Sequence, residues 1–135
     1  MAKEKIIIDA TNAILGRLLS YAAKQALLGK EIEVINIEKA IILGDENMVA
    51  GKIKERRAKG NIFKGPFAPS DPERIAKRGV RGMLNYKQQR GQDAFKRIKF
   101  YLSTPKEYEK SEKMKFERYT GGRKHVTLAR VCEII

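Results

Sequence analysis

The hydrophobic positions along this chain fall into two rhythms, separated by glycine- and proline-rich breaks. Lys5 to Asp9 holds Ile6-Ile7-Ile8, apolar on both faces, as a buried strand of a parallel sheet requires. From Ile14 to Leu28 the spacing changes. Ile14, Leu15, Leu18, Leu19, Ala22, Ala23, Ala26 and Leu27 recur every three or four residues, which predicts an amphipathic helix. Thr11 or Asn12 is placed to cap it, and Gly29 to end it as a C′ glycine. Glu31 to Ile37 is a second strand by its Ile and Val content, so the first three elements form a strand–helix–strand unit with a parallel pair. Ile41-Ile42-Leu43 is a third, very short strand.

Beyond residue 44 the pattern thins. Met48, Val49 and Ile53 give a helix over Asp45 to Lys59 its buried side. Gly60, Gly65, Pro66 and Pro69 make the next ten residues a loop. Ser70-Asp71-Pro72-Glu73 is a helix start, with serine three residues before glutamate and proline in the first turn. That helix runs to Leu84, a further helix is expected over Gln88 to Ile98, and a last strand over Lys99 to Leu102. Lys106 to Lys124 is charged, poor in aliphatics and broken by Gly121-Gly122, which predicts an extended or partly disordered arm in the free protein. Leu128, Val131, Cys132 and Ile135 return to helical spacing. No internal repeat is present. The pattern predicts an α/β domain over 1–104 and a basic C-terminal extension over 105–135 that ends in a short helix.

Charge changes this picture from a scaffold to a surface. The 135 residues carry 29 Lys plus Arg against 16 Asp plus Glu, a formal charge of +13. Residues 1–50 hold six basic and seven acidic side chains, residues 51–90 twelve and three, and residues 91–135 eleven and six. The excess therefore lies beyond residue 50. A solvated helix face normally mixes signs, because like charges at i,i+4 destabilise it. Lys52, Lys54, Arg56, Arg57 and Lys59 crowd together with only Glu55 between them, an arrangement suited to a phosphate ladder. Arg74, Arg78 and Arg81, at i, i+4 and i+7, make one stripe of the following helix guanidinium, with Ile75, Val80, Met83 and Leu84 as its apolar side. Aromatics interleave at Phe63, Phe67 and Tyr86. Gly79, Gly82 and Gly91 each lower helix propensity by about 1 kcal/mol relative to alanine, and suit places where a backbone approaches another surface closely.

Other chemistries find little support. No segment approaches the about 20 consecutive apolar residues of a membrane span, and the start of the chain has no signal-peptide core. A single cysteine, Cys132, excludes an internal disulfide and fits a reducing compartment. These features predict a soluble intracellular protein. The first strand–turn–helix lacks G-x-G-x-x-G. Gly51-Lys52 is followed by Ile53 and has Glu46 where a phosphate-binding loop needs glycine. His125 and Cys132, the only His and Cys, stand seven residues apart across a helix start, a poor nucleophile–base pair and too few ligands for zinc. Asp45-Glu46 and Glu107 with Glu109 lack the apolar pocket that would split their pKa values. The expectation is a non-enzymatic RNA-binding protein with no cofactor and no metal, reading shape and backbone.

Four blocks resemble the universal large-subunit ribosomal protein L-thirteen family in its archaeal and eukaryotic form. They are Ile8-Asp9-Ala10 with Leu15-Gly16-Arg17-Leu18; Val34-Ile35-Asn36-Ile37-Glu38-Lys39 with Leu43-Gly44; Lys64-Gly65-Pro66-Phe67 with Arg74-Ile75; and Val80-Arg81-Gly82-Met83-Leu84 with Lys87 and Arg90-Gly91. They occur in family order over residues 5–102. Where the family often continues Gly-Pro-Phe with a His-Phe-Arg-like stretch, this chain has Ala68-Pro69-Ser70-Asp71.

The resemblance implies a three-layer α/β/α fold with a short, mainly parallel sheet of about four strands. It also implies large-subunit rRNA and neighbouring large-subunit ribosomal proteins as partners on a cytoplasmic ribosome, without an obligate homo-oligomer. The implied role is structural support and early subunit assembly, with extra-ribosomal translational control as the alternative. The residues expected to meet RNA are Lys52, Lys54, Arg56, Arg57, Lys59, Lys64, Arg74, Arg78, Arg81, Lys87 and Arg90, with Arg97 and Lys99 as a second patch.

Overall fold

The computed structural model describes residues 4–61, 63–65, 69–110, 113–116, 119 and 121–134. Pro66 and Phe67 of the Gly-Pro loop, the following Ala68, and Ile135 at the end of the last expected helix lie outside them.

The strand–helix–strand unit forms as the spacing predicts. β1 (Lys5–Asp9) and β2 (Glu31–Ile35) run parallel in the register Lys5↔Glu31 to Asp9↔Ile35, joined by α1 (Leu15–Leu27). β4 (Ile98–Phe100) adds in parallel to β2, and β5 (Met114–Lys115) to β1, giving the order β4-β2-β1-β5. Side chains alternate across a strand. One face therefore carries Ile6, Ile8, Ile32, Val34, Ile98 and Phe100 into a core shared with Leu18, Leu19, Ala22, Ala23 and Ala26 of α1. α3 (Pro72–Met83) and α4 (Gln89–Lys96) complete that helical layer through Ala76, Val80 and Ala94. The opposite face is covered by a 3-10 turn, Lys106–Tyr108. There Lys5 donates to the Tyr108 hydroxyl at 3.0 Å and pairs with the buried Glu33 at 3.3 Å. Both contacts raise the Lys5 pKa, the Tyr108 hydrogen bond most. The result is a mixed α/β fold in three layers, with a four-stranded parallel sheet and five helices among the described residues.

Several boundaries shift, each for a local reason. Neither Thr11 nor Asn12 caps α1. Ile14 is its N-cap without a side-chain bond, because the Thr11 hydroxyl donates to Asp9 at 2.7 Å and Asn12 sits in the left-handed region at φ 57. β2 stops at Ile35 rather than Ile37. Asn36 is left-handed (φ 56), and its amide donates to Asp9 at 3.2 Å and Thr104 at 3.3 Å, turning the chain into a 3-10 turn over Ile37–Lys39. α3 begins after Asp71, not Ser70, and Asp71 pairs with Arg74 instead of closing a capping box. Met48, expected on the buried side of α2 (Glu46–Ala58), is half exposed, while Val49 and Ala50 are buried.

β3 (Ile41–Leu43) is not a member of the main sheet. It pairs antiparallel with β6 (His125–Thr127) in a separate ribbon. The fourth strand of the main sheet is β5, from the segment expected to be an arm. The described residues of that segment pack against the body of the fold. Tyr108 is buried, β5 extends the sheet, and α5 (Leu128–Ile134) packs Val131 against Val49 and Val126. Leu128 is fully buried in the main core, and its amide donates to the Ala40 carbonyl at 2.9 Å. Leu128→Ala is therefore expected to cost about 3 kcal/mol of unfolding free energy by urea denaturation. A loss below about 1 kcal/mol would mean that residues 125–134 are peripheral to the fold.

Candidate nucleic-acid interface

α2 is anchored only at its start. Val49, Ala50 and the partly buried Ile53 hold it to the ribbon and α5, and Arg130 of α5 reaches back to Glu46 at 2.7 Å. Beyond Ile53 every residue from Lys54 to Gly60 is exposed. Lys52, Lys54, Arg56, Arg57 and Lys59 thus all stand in water, and among the described residues no ion pair neutralises any of them. A helix surface left this unbalanced gains nothing from its own charges and needs a polyanion to offset their repulsion. The chain then turns through a small hairpin closed between Asn61 and Gly65, with Lys64 exposed at its tip.

α3 carries its cations on the side away from Ala76 and Val80. Arg74 and Arg78 are exposed, and Arg81 lies half-buried with its guanidinium 5.0 Å from the Tyr86 ring centre. Lys87 and Arg90 are exposed at the corner leading into α4.

Tertiary packing sorts the expected cations into three places. Arg56 of α2 and Lys59 just past its end meet Arg78 of α3 around a groove of about 410 Å³, lined by the apolar Leu15 and Leu19 of α1, Ile53 of α2 and Ile75 of α3. Arg74 faces the other flank of α3, sharing a hollow of about 400 Å³ with Lys77, Lys99, Tyr101 and the acidic Glu73. Lys77 was not among the expected contacts, although its i,i+3 spacing from Arg74 is the signal that would have placed it. The third place is a mixed-sign hollow of about 380 Å³, where Lys96, Arg97 and Lys99 stand among Glu31, Glu33 and Asp93. Arg97 has a structural task there. Its Nη1 donates to the Ala26 carbonyl at 2.9 Å, adding a second bond to an acceptor that already takes the Gly29 amide at 3.0 Å, and so ties β4 to the end of α1. Arg97 and Lys99 thus lie apart from the α2 cluster, and only Lys99 joins an α3 cation.

Burial, and then the charge of Asp71, push the Cys132 thiol above its ordinary value of 9.0, which keeps it protonated and weakly nucleophilic. His125 is exposed on β6, edge-on to Tyr119 with ring centres 5.8 Å apart. Among the described residues no group of three His, Cys, Asp or Glu side chains could hold a metal ion, and no helix is long and apolar enough to cross a membrane.

Comparison with known proteins places this arrangement. The large ribosomal subunit protein uL13 of Archaeoglobus fulgidus is 46% identical over 134 residues, covering 96% of this chain and 86% of the relative. Its counterpart in Methanocaldococcus jannaschii is 40% identical over 131 residues, covering 94% of each. That of Thermoplasma volcanium is 44% identical over 110 residues, covering 80% of this chain and 81% of the relative. Residues 3–107, which include the sheet from β1 to β4 and both basic helices, match the family described as ribosomal protein L13, and the chain belongs to that family.

Proposed function

We propose that this chain is a structural constituent of the large ribosomal subunit, which binds large-subunit rRNA through the face built by α2 and α3 and supports early assembly on the cytoplasmic ribosome. One observation carries the reading: four cations of α2 and Lys59 at its end stand exposed, with no ion pair among the described residues, and two of the five share a groove with Arg78. Lys52, Lys54, Arg56, Arg57, Lys59, Lys64 and Arg78 are the phosphate and sugar contacts of this face, and Arg74 continues it on the other flank of α3. Arg81, Lys87 and Arg90 extend it around the α3–α4 corner, and Lys77 joins it beside Arg74. The reading gives Arg97 no RNA contact, because its guanidinium is turned inward onto the Ala26 carbonyl of α1. Neighbouring large-subunit proteins are the remaining partners, and the chain needs no second copy of itself. Residues 1–104 form the RNA-binding body in this reading, and residues 105–135 an extension that folds back onto it.

Phosphate-dominated binding releases counterions, so its salt dependence counts the contacts. With about six phosphates neutralised, log K for large-subunit rRNA should fall with log salt at a slope of roughly −4 to −5. Filter binding across a salt series measures it. A slope near zero would remove RNA from the account.

A further inference from the structure

Phe63 is 88% exposed, more than any other large hydrophobic side chain among the described residues. It sits on a turn closed by hydrogen bonds. The Asn61 amide donates to the Gly65 carbonyl at 3.1 Å, and the Gly65 amide returns to the Asn61 carbonyl at 2.8 Å. The Phe63 amide itself donates to the Asn61 side-chain oxygen at 3.1 Å. A turn closed by these bonds holds an aromatic ring out in water, forgoing the burial that usually decides where phenylalanine goes.

We propose that Phe63 is a stacking platform for an unpaired RNA base, positioned by the Asn61–Gly65 turn. The ring has the exposed lysine neighbour Lys64, and the exposed Arg56, Arg57 and Lys59 precede the turn. An apolar pocket on a partner protein would have to accept the ring while stripping water from those charges. A single-stranded RNA segment supplies both needs at once, a π face for the ring and phosphates for the cations. Tyr86, the other exposed Phe or Tyr among the described residues, already lies under the Arg81 guanidinium. Phe63 has no such occupant among the described contacts.

This inference rests on RNA binding by the α2–α3 face, and the test separates the two. Phe63→Ala removes stacking without removing charge. Its affinity for Archaeoglobus fulgidus large-subunit rRNA should fall roughly five- to hundredfold, with the salt slope and the melting temperature unchanged. The chain contains no tryptophan, so Phe63→Trp introduces a single indole. That variant should bind as tightly as the parent. Its emission should be quenched by a short oligouridylate far more than by an abasic oligonucleotide with the same number of phosphates. Steep salt dependence together with undiminished Phe63→Ala affinity, or equal quenching by the two oligonucleotides, would overturn the stacking role and leave the basic face intact. Full rRNA affinity with exclusion from assembled subunits would place the ring in a protein pocket instead. A flat salt response in the parent would fell both readings together.

Discussion

Gly91→Ala should destabilise the protein by about 3 kcal/mol, the upper end for overpacking a closed site. Helix propensity alone gives the opposite sign, because alanine in a helix interior is favoured over glycine by about 1 kcal/mol. The reversal comes from the corner between α3 and α4. Gly91 is buried in the first turn of α4, and the preceding corner folds back over it. A Cβ there would overlap the Asn85 carbonyl carbon and oxygen and lie 2.9 Å from the Tyr86 nitrogen. These are backbone atoms, so no rotamer change relieves the clash. The Asn85 carbonyl also accepts from the Gln88 amide at 3.0 Å, and the Tyr86 amide donates to Leu84 at 2.9 Å, so moving the corner breaks bonds as well. Tyr86, Lys87 and Arg90 ride on it, and RNA affinity should fall along with stability. Gly82 is the control. A Cβ there meets nothing within 4 Å, and Gly82→Ala should stabilise α3 by about 0.5 to 1 kcal/mol. Chemical denaturation of both variants decides the matter. Stabilisation by both would mean that the corner yields easily.

Replacing Lys52, Lys54, Arg56, Arg57 and Lys59 together by glutamine should make the salt slope shallower by roughly 3.5 to 4.5 and weaken rRNA binding on the order of a thousandfold at moderate salt. All five side chains are exposed, and among the described residues none is in an ion pair, so the fold gives up no contact with their charges. Relief of their mutual repulsion should leave stability unchanged or slightly raised. The corresponding change at Arg97 should do the reverse. Arg97→Gln removes the bond to Ala26 and lowers stability while leaving the salt slope alone. A variant of the α2 cluster that bound rRNA with the parental slope would move the interface elsewhere on the molecule.

Helices α1 and α3 were legible in the sequence because each buries one stripe and exposes the rest. Leu18, Leu19, Ala22 and Ala26 share one face of α1, while Ala76 and Val80 of α3 oppose its arginines. β1 and β2 were legible because consecutive aliphatics between turn residues need a sheet around them. The basic character of α2 was legible for the same local reason, since five cations within eight residues cannot be mutually buried. β5 was not. Met114–Lys115 is two residues in a charged stretch, with no alternation to detect. It is a strand because the edge of β1 offers unpaired backbone groups beside Ile8 and Asp9. β3 was legible as a strand but not in its pairing, because its partner β6 lies more than eighty residues away and only the folded chain brings them together.

The sequence by itself thus determined the main helices and the strands β1 to β3, where positive charge accumulates and, through its motif blocks, the family. Those properties follow from side-chain periodicity and composition, which act over a few residues at a time. Only the tertiary structure decided which cations share a face. It drew Arg56 and Lys59 toward Arg78 around a groove lined by apolar residues, and it turned Arg97 inward onto α1. It also held Phe63 out on a closed turn and brought the Asn85 carbonyl onto Gly91. The reason is physical: a charge or a glycine acquires its role from atoms distant in sequence, and their position is fixed by the packing of the whole core rather than by any local pattern.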